Sequence, residues 1–233
     1  MNRTGTLVEM STSPALHASY LAKVVSVQDP DKRNRVQVKL LSFDGVGEQN
    51  GPVWARIAVP FAGSKRGAFM MPDVGDEVLV NYINGDSRFP VIVGGLWNGA
   101  DAAPETLGGA GDAVDRWTIV GKKGTRIAIE EEASGQSTIK LTTPGKVSTQ
   151  ITDSGGGTVE IKAGGCTIKI DPNGVSIQTG AKVQVKASQM DVTAGQVNVN
   201  SAISKFSGMV KCDVLQATTV MGGTYTPGVG NVW

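Results

Sequence analysis

The side chains that could carry chemistry are few and scattered. The single histidine, His17, lies in a segment without hydrophobic periodicity, and the sequence holds no His/Cys cluster with metal-ligand spacing. The run Glu130-Glu131-Glu132 follows a strand-like segment, and we interpret it as a solvated turn rather than as paired catalytic carboxylates. Cys166 and Cys212 each lie two residues from apolar residues of an alternating segment and so on the same side of it, and we expect both to face a core. We predict no catalytic residue, no metal site and no cofactor.

Five basic residues form the remaining candidate site. Three of them follow the first strand-like segment and two lie in a later loop: Lys32, Arg33, Arg35, Lys65 and Arg66. The formal net charge of the chain is only +1 and aromatic residues make up 5% of it, which is little for holding phosphates and stacking bases. We therefore predict that this site contacts a protein partner and that nucleic acid is not a ligand.

The composition points to strands and turns. The 233 residues allow one large domain or two modest ones, and 31 of them are glycine. No apolar run reaches the roughly 18 residues that a membrane helix needs, and the N-terminus lacks the pattern of a secretory signal. We expect assembly in the cytoplasm.

Residues 19–98 carry five strand-like segments with turn residues between them. Asn84-Gly85 supplies the positive φ angles of a tight turn between the last two segments. Five antiparallel strands in about 80 residues fit a small closed barrel, for which an OB-fold is a natural candidate. The segments are 21–27, 35–40, 53–59, 77–83 and 90–96.

A change of composition then divides the chain. Residues 1–18 are expected to form a flexible arm and the Gly/Ala-rich residues 99–116 a linker. Residues 117–222 are a region of short alternating segments, predicted at 125–130, 138–141, 158–162, 167–170, 175–178, 183–186, 190–193 and 197–200, and residues 223–233 form a C-terminal tip.

The alternating region has a short repeat. Apolar positions at Ile161, Ile168, Val175, Val183, Met190 and Val197 are spaced by seven or eight residues. Such a unit supplies one strand and one turn, too little for one chain to close a solenoid coil, since solenoid repeats mostly run about 20 residues or more. Three chains can enclose a core if each contributes one strand per layer. A β-sandwich with regular turns is the alternative.

The trimer prediction specifies which residues face the threefold axis. Alternation directs Val183 and Val185 inward and Lys182, Gln184 and Lys186 outward. The full predicted trimer core is Ile161, Ile168, Ile170, Val175, Ile177, Val183, Val185, Met190, Val192, Val197 and Val199.

Several motifs resemble a known family. The stretch from Met71 to Val80, Asn84-Gly85-Asp86, and the stretch from Pro90 to Gly99 are similar to the OB-fold of contractile-tail spikes, the phage baseplate assembly protein V type and the VgrG proteins of type VI secretion. The stretch from Gly121 to Glu130 resembles the family's entry into its triple-stranded β-helix. The implied fold is all-β: an N-terminal five-stranded OB-fold barrel followed by an intertwined trimeric triple-stranded β-helix.

The resemblance also implies partners. Only about 20 residues precede the barrel, so a separate trimeric hub protein is expected to contact the five basic residues. A small pointed tip protein of the PAAR type is expected to meet the C-terminal end at Tyr225, Pro227, Val229, Val232 and Trp233. Relatives can carry a lysozyme domain or an iron-binding His-x-His pair, and this sequence has room or residues for neither.

The function that follows is a structural, non-enzymatic spike that pierces a target cell envelope at the distal end of an inner tube. The machine would be a phage tail, a tailocin or an extracellular contractile injection system. Two alternatives stay open, a nucleic-acid-binding OB protein on a trimeric stalk and a virion-associated glycan-binding β-helix.

Overall fold

The structure is a computed structural model, and it describes residues 17–43, 51–133 and 135–224. Apart from two short 3₁₀ turns, Leu41–Phe43 and Ile83–Gly85, the regular elements of these residues are strands. In chain order they are β1 Tyr20–Ser26, β2 Val36–Leu40, β3 Val53–Ile57, β4 Ala62–Gly63, β5 Arg66–Gly67, β6 Glu77–Tyr82, β7 Pro90–Leu96, β8 Arg116–Val120, β9 Arg126–Ala133, β10 Gln136–Thr142, β11 Ser148–Asp153, β12 Thr158–Ala163, β13 Cys166–Asp171 and β14 Gly174–Thr179.

The first half of the chain closes into a five-stranded barrel. The strand order is β1-β2-β3-β7-β6, and β6 pairs back with β1. The β3–β7 pair is parallel and the other pairs are antiparallel, which is the arrangement of an OB-fold. The predicted barrel and its five strands are confirmed, but the expectation that all the strands are antiparallel is wrong for the β3–β7 pair.

Alternation along these strands builds the barrel core. In β1, Ala22 and Val24 are buried while Leu21, Lys23 and Val25 are exposed. The other strands follow the same two-residue period, and their inward side chains are mostly small and branched, which suits a narrow interior. The buried core consists of Ala22, Val24, Val36, Val38, Ala55, Val78, Val80, Tyr82 and Ile92.

The loop between β1 and β2 is organised by one carboxylate. Asp29, whose side chain is 4% exposed, accepts hydrogen bonds from the backbone N–H groups of Asp31, Arg33 and Arg35 at 2.9–3.2 Å. The Arg35 guanidinium donates to the same carboxylate at 2.7 Å and lies 5.7 Å from the ring centre of Trp54. The Arg35 side chain, aided by these backbone N–H groups, holds the pKa of Asp29 well below its usual range.

The predicted turn at Asn84-Gly85 is confirmed. Both residues have positive φ, 55° and 71°, and the N–H of Asp86 donates to the carbonyl of Ile83 at 3.0 Å. Asparagine and glycine adopt this left-handed conformation at low cost, so the sequence signal and the backbone agree.

The second half begins with a seven-stranded antiparallel sheet in which β8 to β14 follow one another in chain order. The predicted strands up to residue 178 are confirmed, and the structure adds two that the sequence analysis missed, β8 and β11. Glu130, Glu131 and Glu132 lie within β9, so their interpretation as a turn is wrong. Glu130 pairs with Arg116 of β8 and with Thr138 of β10, and the N–H of Glu131 donates to the carbonyl of Asp115 at 2.9 Å, so backbone contacts with neighbours favour the strand.

The segment between barrel and sheet contains no strand, as expected of a linker, but it is fastened to the sheet. The Glu105 carboxylate accepts a hydrogen bond from Arg116 of β8 at 2.6 Å and another from Arg126 of β9. These bonds, led by the one from Arg126, lower the pKa of Glu105. The N–H of Asp115 donates to the carbonyl of Leu107 at 3.2 Å, which closes the segment into a loop.

A second compact unit begins at Val183. Within its described residues, 183–224, no strand is formed, so the strands predicted at 183–186, 190–193 and 197–200 are wrong for the single chain. A strand needs a neighbour to satisfy its backbone N–H and C=O groups, and these short segments find none in their own chain.

Replacing Asp29 by asparagine tests the loop carboxylate. Because its folded pKa is depressed, Asp29 contributes stability above its unfolded pKa of about 3.9, and this contribution is lost as the pH falls through the folded value. We expect D29N to be less stable than the parent in urea at neutral pH, with the difference shrinking toward pH 2. The exposed Asp112 supplies the control D112N, which should match the parent throughout. A D29N deficit that does not change with pH would contradict the assignment.

Replacing Glu105 by glutamine tests the fastening of the linker. The variant loses the ion pairs of one carboxylate with two arginines, and this carboxylate is only partly exposed. We expect the free energy of local opening to fall by about 1–2 kcal/mol, after allowance for solvent screening. We expect thermolysin to cleave near Leu107 roughly fivefold faster or more, because local opening becomes easier. E131Q, a change at an exposed carboxylate of β9, should leave the cleavage rate unchanged. Equal rates for parent and E105Q would show that the linker is held by other contacts.

Candidate assembly surfaces

One side of the seven-stranded sheet is apolar from edge to edge, and we call it the apolar face. Cross-strand pairing arranges its side chains in two parallel rows. One row is Trp117, Ile129, Ile139, Ile151, Val159, Ile170 and Val175. The other is Ile119, Ile127, Leu141, Thr149, Ile161, Ile168 and Ile177, in which Thr149 is the polar member.

These rows are open in the single chain. The exposed fractions run from 41% at Ile161 to 69% at Val175, and only Thr149, Val159 and Ile168 fall below this range. An apolar patch that spans seven strands is far larger than the single exposed hydrophobic residues of ordinary surfaces. The face therefore has the character of an interface that lacks its partner.

The opposite side of the sheet is mostly polar, and Ala128 and Thr138 on this side are buried. It carries threonine, serine, glutamine and charged residues such as Thr118, Lys140, Gln150, Lys162 and Ser176. Ion pairs join some neighbours, as between Lys169 and Asp171 at 2.8 Å. The sheet is thus strongly two-sided, and the side that should be buried is the apolar face.

The structure brings part of the predicted trimer core together. Ile161, Ile168, Ile170, Val175 and Ile177 share the apolar face. Cys166 points to the same side, as its parity predicted, and is a free thiol. The remaining predicted core residues belong to the second unit, where each is 60% exposed or more: Val183, Val185, Met190, Val192, Val197 and Val199.

The predicted basic site is only partly assembled. Arg33, Lys65 and Arg66 line one cavity of about 590 Å³, together with Arg56, which the sequence analysis missed. Alternation could have located Arg56, because it points outward from β3 next to the buried Ala55.

The other two predicted basic residues lie apart from this cavity. The Arg35 side chain is engaged by Asp29, Asp31 and Trp54 and so has a structural role in the loop. Lys32 lines a separate cleft of about 1090 Å³ with Asp73 and Lys122, whose side chains form an ion pair.

The remaining chemical candidates are accounted for as follows. His17 is exposed at the start of the described chain. Glu130 and Glu132 pair with Arg126 and Arg116, so the acidic run is engaged in ion pairs. Over 17–43, 51–133 and 135–224 there is no group of three or more His, Cys, Asp or Glu that could hold a metal ion. The predicted tip residues, Tyr225, Pro227, Val229, Val232 and Trp233, lie outside the described residues.

No helix within the described ranges is long and apolar enough to cross a membrane.

Comparison with known proteins identifies the barrel. Residues 20–97 match the family described as the type VI secretion system/phage-baseplate injector OB domain. The chain is 33% identical over 100 residues to the type VI secretion system spike protein VgrG3 of Vibrio cholerae, a match covering 40% of this chain and 10% of that protein. It is also 33% identical over 78 residues to the spike protein VgrG4b of Pseudomonas aeruginosa, covering 33% of this chain and 10% of that protein.

A third relative carries a different description. The actin cross-linking toxin VgrG1 of Vibrio cholerae is 34% identical over 61 residues, which is 26% of this chain and 6% of that protein. The matched stretches span a tenth or less of the length of these relatives. The barrel of this chain is thus an injector OB domain of the kind found in type VI secretion systems and phage baseplates, and the chain resembles the VgrG-like baseplate spikes.

Proposed function

We propose that this chain is the structural central spike of a contractile injection machine and that it works as a homotrimer. The barrel docks beneath a separate trimeric hub, and residues from Arg116 onward form a triple-stranded β-helix that is driven through a target cell envelope. The machine is a phage tail, a tailocin or an extracellular injection system, assembled in the cytoplasm, and a PAAR-type protein caps the C-terminal end.

The apolar face carries this proposal. Its two rows of Ile, Val, Leu and Trp side chains cross all seven strands and are about half exposed in one chain. Burying such surface contributes about 25 cal/mol per Å², so a chain that keeps it in water forgoes a large stabilisation. Three copies that turn these faces toward a common axis bury them together and leave the polar sides in water.

The second unit supports the same arrangement. Residues 183–199 keep the alternation of apolar and polar side chains but form no strand within their own chain. In an interwound trimer, neighbouring copies supply the missing backbone partners, and every strand edge is paired. The apolar residues from Val183 to Val199 then continue the core that the apolar face begins.

The spike acts by transmitting force and has no catalytic step in this proposal. One relative is described as a toxin, but its match to this chain covers only 6% of that protein. The family model matches residues 20–97, the barrel, whose buried core is apolar.

Solution mass tests the proposal directly. Light scattering of the purified full-length chain should give three times the 24.2 kDa chain mass, and the trimer should survive detergent without heating, because the strands of the three chains interlock. A monomer would contradict both the fold and the function proposed here.

A pair of neighbouring substitutions in β14 tests the apolar face. Ile177 lies on that face and Ser176 on the polar side, and both are exposed in the single chain. We expect I177D to abolish trimerisation, because three unpaired carboxylates near the axis cost several kcal/mol each. S176D should remain trimeric, since its carboxylate faces water opposite Lys169. If both variants remain trimeric in light scattering, the apolar face is not the contact between copies.

A further inference from the structure

The arginines of the described chain fall into two groups. Four of them have a carboxylate partner: Arg35, Arg88, Arg116 and Arg126. The other three, Arg33, Arg56 and Arg66, make no ion pair with any described residue, and all three line the cavity of about 590 Å³ beside the barrel. The unpaired guanidinium groups are therefore collected at one place.

The described walls of this cavity carry positive charge. Lys65 adds a fourth cation, and none of the described residues that line the cavity is an aspartate or a glutamate. Four neighbouring cations that have no carboxylate among these residues favour an anionic partner, because its charge offsets their mutual repulsion. Guanidinium groups pair with carboxylates in a bidentate manner, which favours them at such contacts.

The β4–β5 hairpin positions one of the arginines. Lys65 has a φ of 57° at the turn, and the chain folds back so that Arg66 lies opposite Gly63. A Cβ atom on Gly63 would lie 2.7 Å from Nε of Arg66, so the arginine side chain packs directly over this glycine. The hairpin therefore places the Arg66 side chain across its partner strand, on the lining of the cavity.

Apolar side chains complete the cavity. Phe69 is 78% exposed, Met70 is 56% exposed, and Val59 and Ala62 also contribute to the lining. Large apolar residues that remain in water next to unpaired cations indicate a partner with both carboxylates and apolar side chains. Methionine adapts its shape to such a partner better than branched residues do.

We propose that this cavity, which we call the arginine cavity, binds an acidic and partly apolar peptide segment of the separate hub protein. The inference rests on the proposed spike function and specifies how the barrel docks. A protein segment fits better than single-stranded nucleic acid, because Phe69 is the one aromatic residue among the described residues of the lining, whereas strand binding uses successive stacking platforms. The small net charge of the chain also provides no field to hold a polyanion.

Fluorescence anisotropy on the full-length trimer tests the arginine cavity. The probes are a short labelled peptide of alternating glutamate and leucine, and a labelled oligothymidylate of similar net charge. The variant R33Q/R56Q/R66Q removes the three unpaired cations. The control K123Q/K182Q/K211Q removes the same charge from exposed lysines outside the cavity. Light scattering of each variant checks that the assembly is unchanged.

We expect the parent to bind the acidic peptide, the arginine variant to weaken this binding by about tenfold or more, and the lysine control to stay within about twofold of the parent. If both variants weaken peptide binding equally, the effect comes from the overall charge of the protein, and the proposal is overturned. Tighter binding of oligothymidylate than of peptide would also overturn it and assign the cavity to nucleic acid. A parent that binds the peptide but is monomeric would support the cavity while contradicting the spike function.

Discussion

The structure depends on one imbalance, a sheet whose apolar side is left exposed by the described part of the chain. Alternation sends every second side chain of β8 to β14 to the same face, and the register aligns these side chains in two rows. A barrel can bury its inward face by closing on itself, but an open sheet of this length cannot. The opposite side carries polar side chains and ion pairs, so the apolar face is the side on which burial by a partner would contribute most.

The two halves of the chain differ in how they bury their apolar side chains. In the barrel, five strands enclose small branched side chains completely, and the Asp29–Arg35 contact fixes the loop that joins the first two strands. This half has a core of its own. The second half has alternation without closure, and past Lys182 the chain has no strand partner among the described residues. In the trimer that we propose, each copy would complete the core and the backbone pairing of the others.

The arginines also fall into two groups, those that pair with a carboxylate of the same chain and those that do not. Arg116 and Arg126 share Glu105 and so fasten the linker to the sheet, while Arg88 pairs with Asp86 beside the turn at Asn84. These pairs serve the single chain. The cations of the arginine cavity have no such partners among the described residues, and their position beside the barrel agrees with a role in docking to another protein.

The sequence by itself determined the strand period, the barrel strands and the turn at Asn84-Gly85, because these depend on side-chain type and local backbone preference. The tertiary structure decided what depends on neighbours. β11 contains one large apolar residue, Ile151, and becomes a strand through pairing on both sides. The glutamate run became strand because β8 and β10 flank it. Arg35 was separated from Arg33 and Arg66, since only folding shows which cation meets a carboxylate and which stays free.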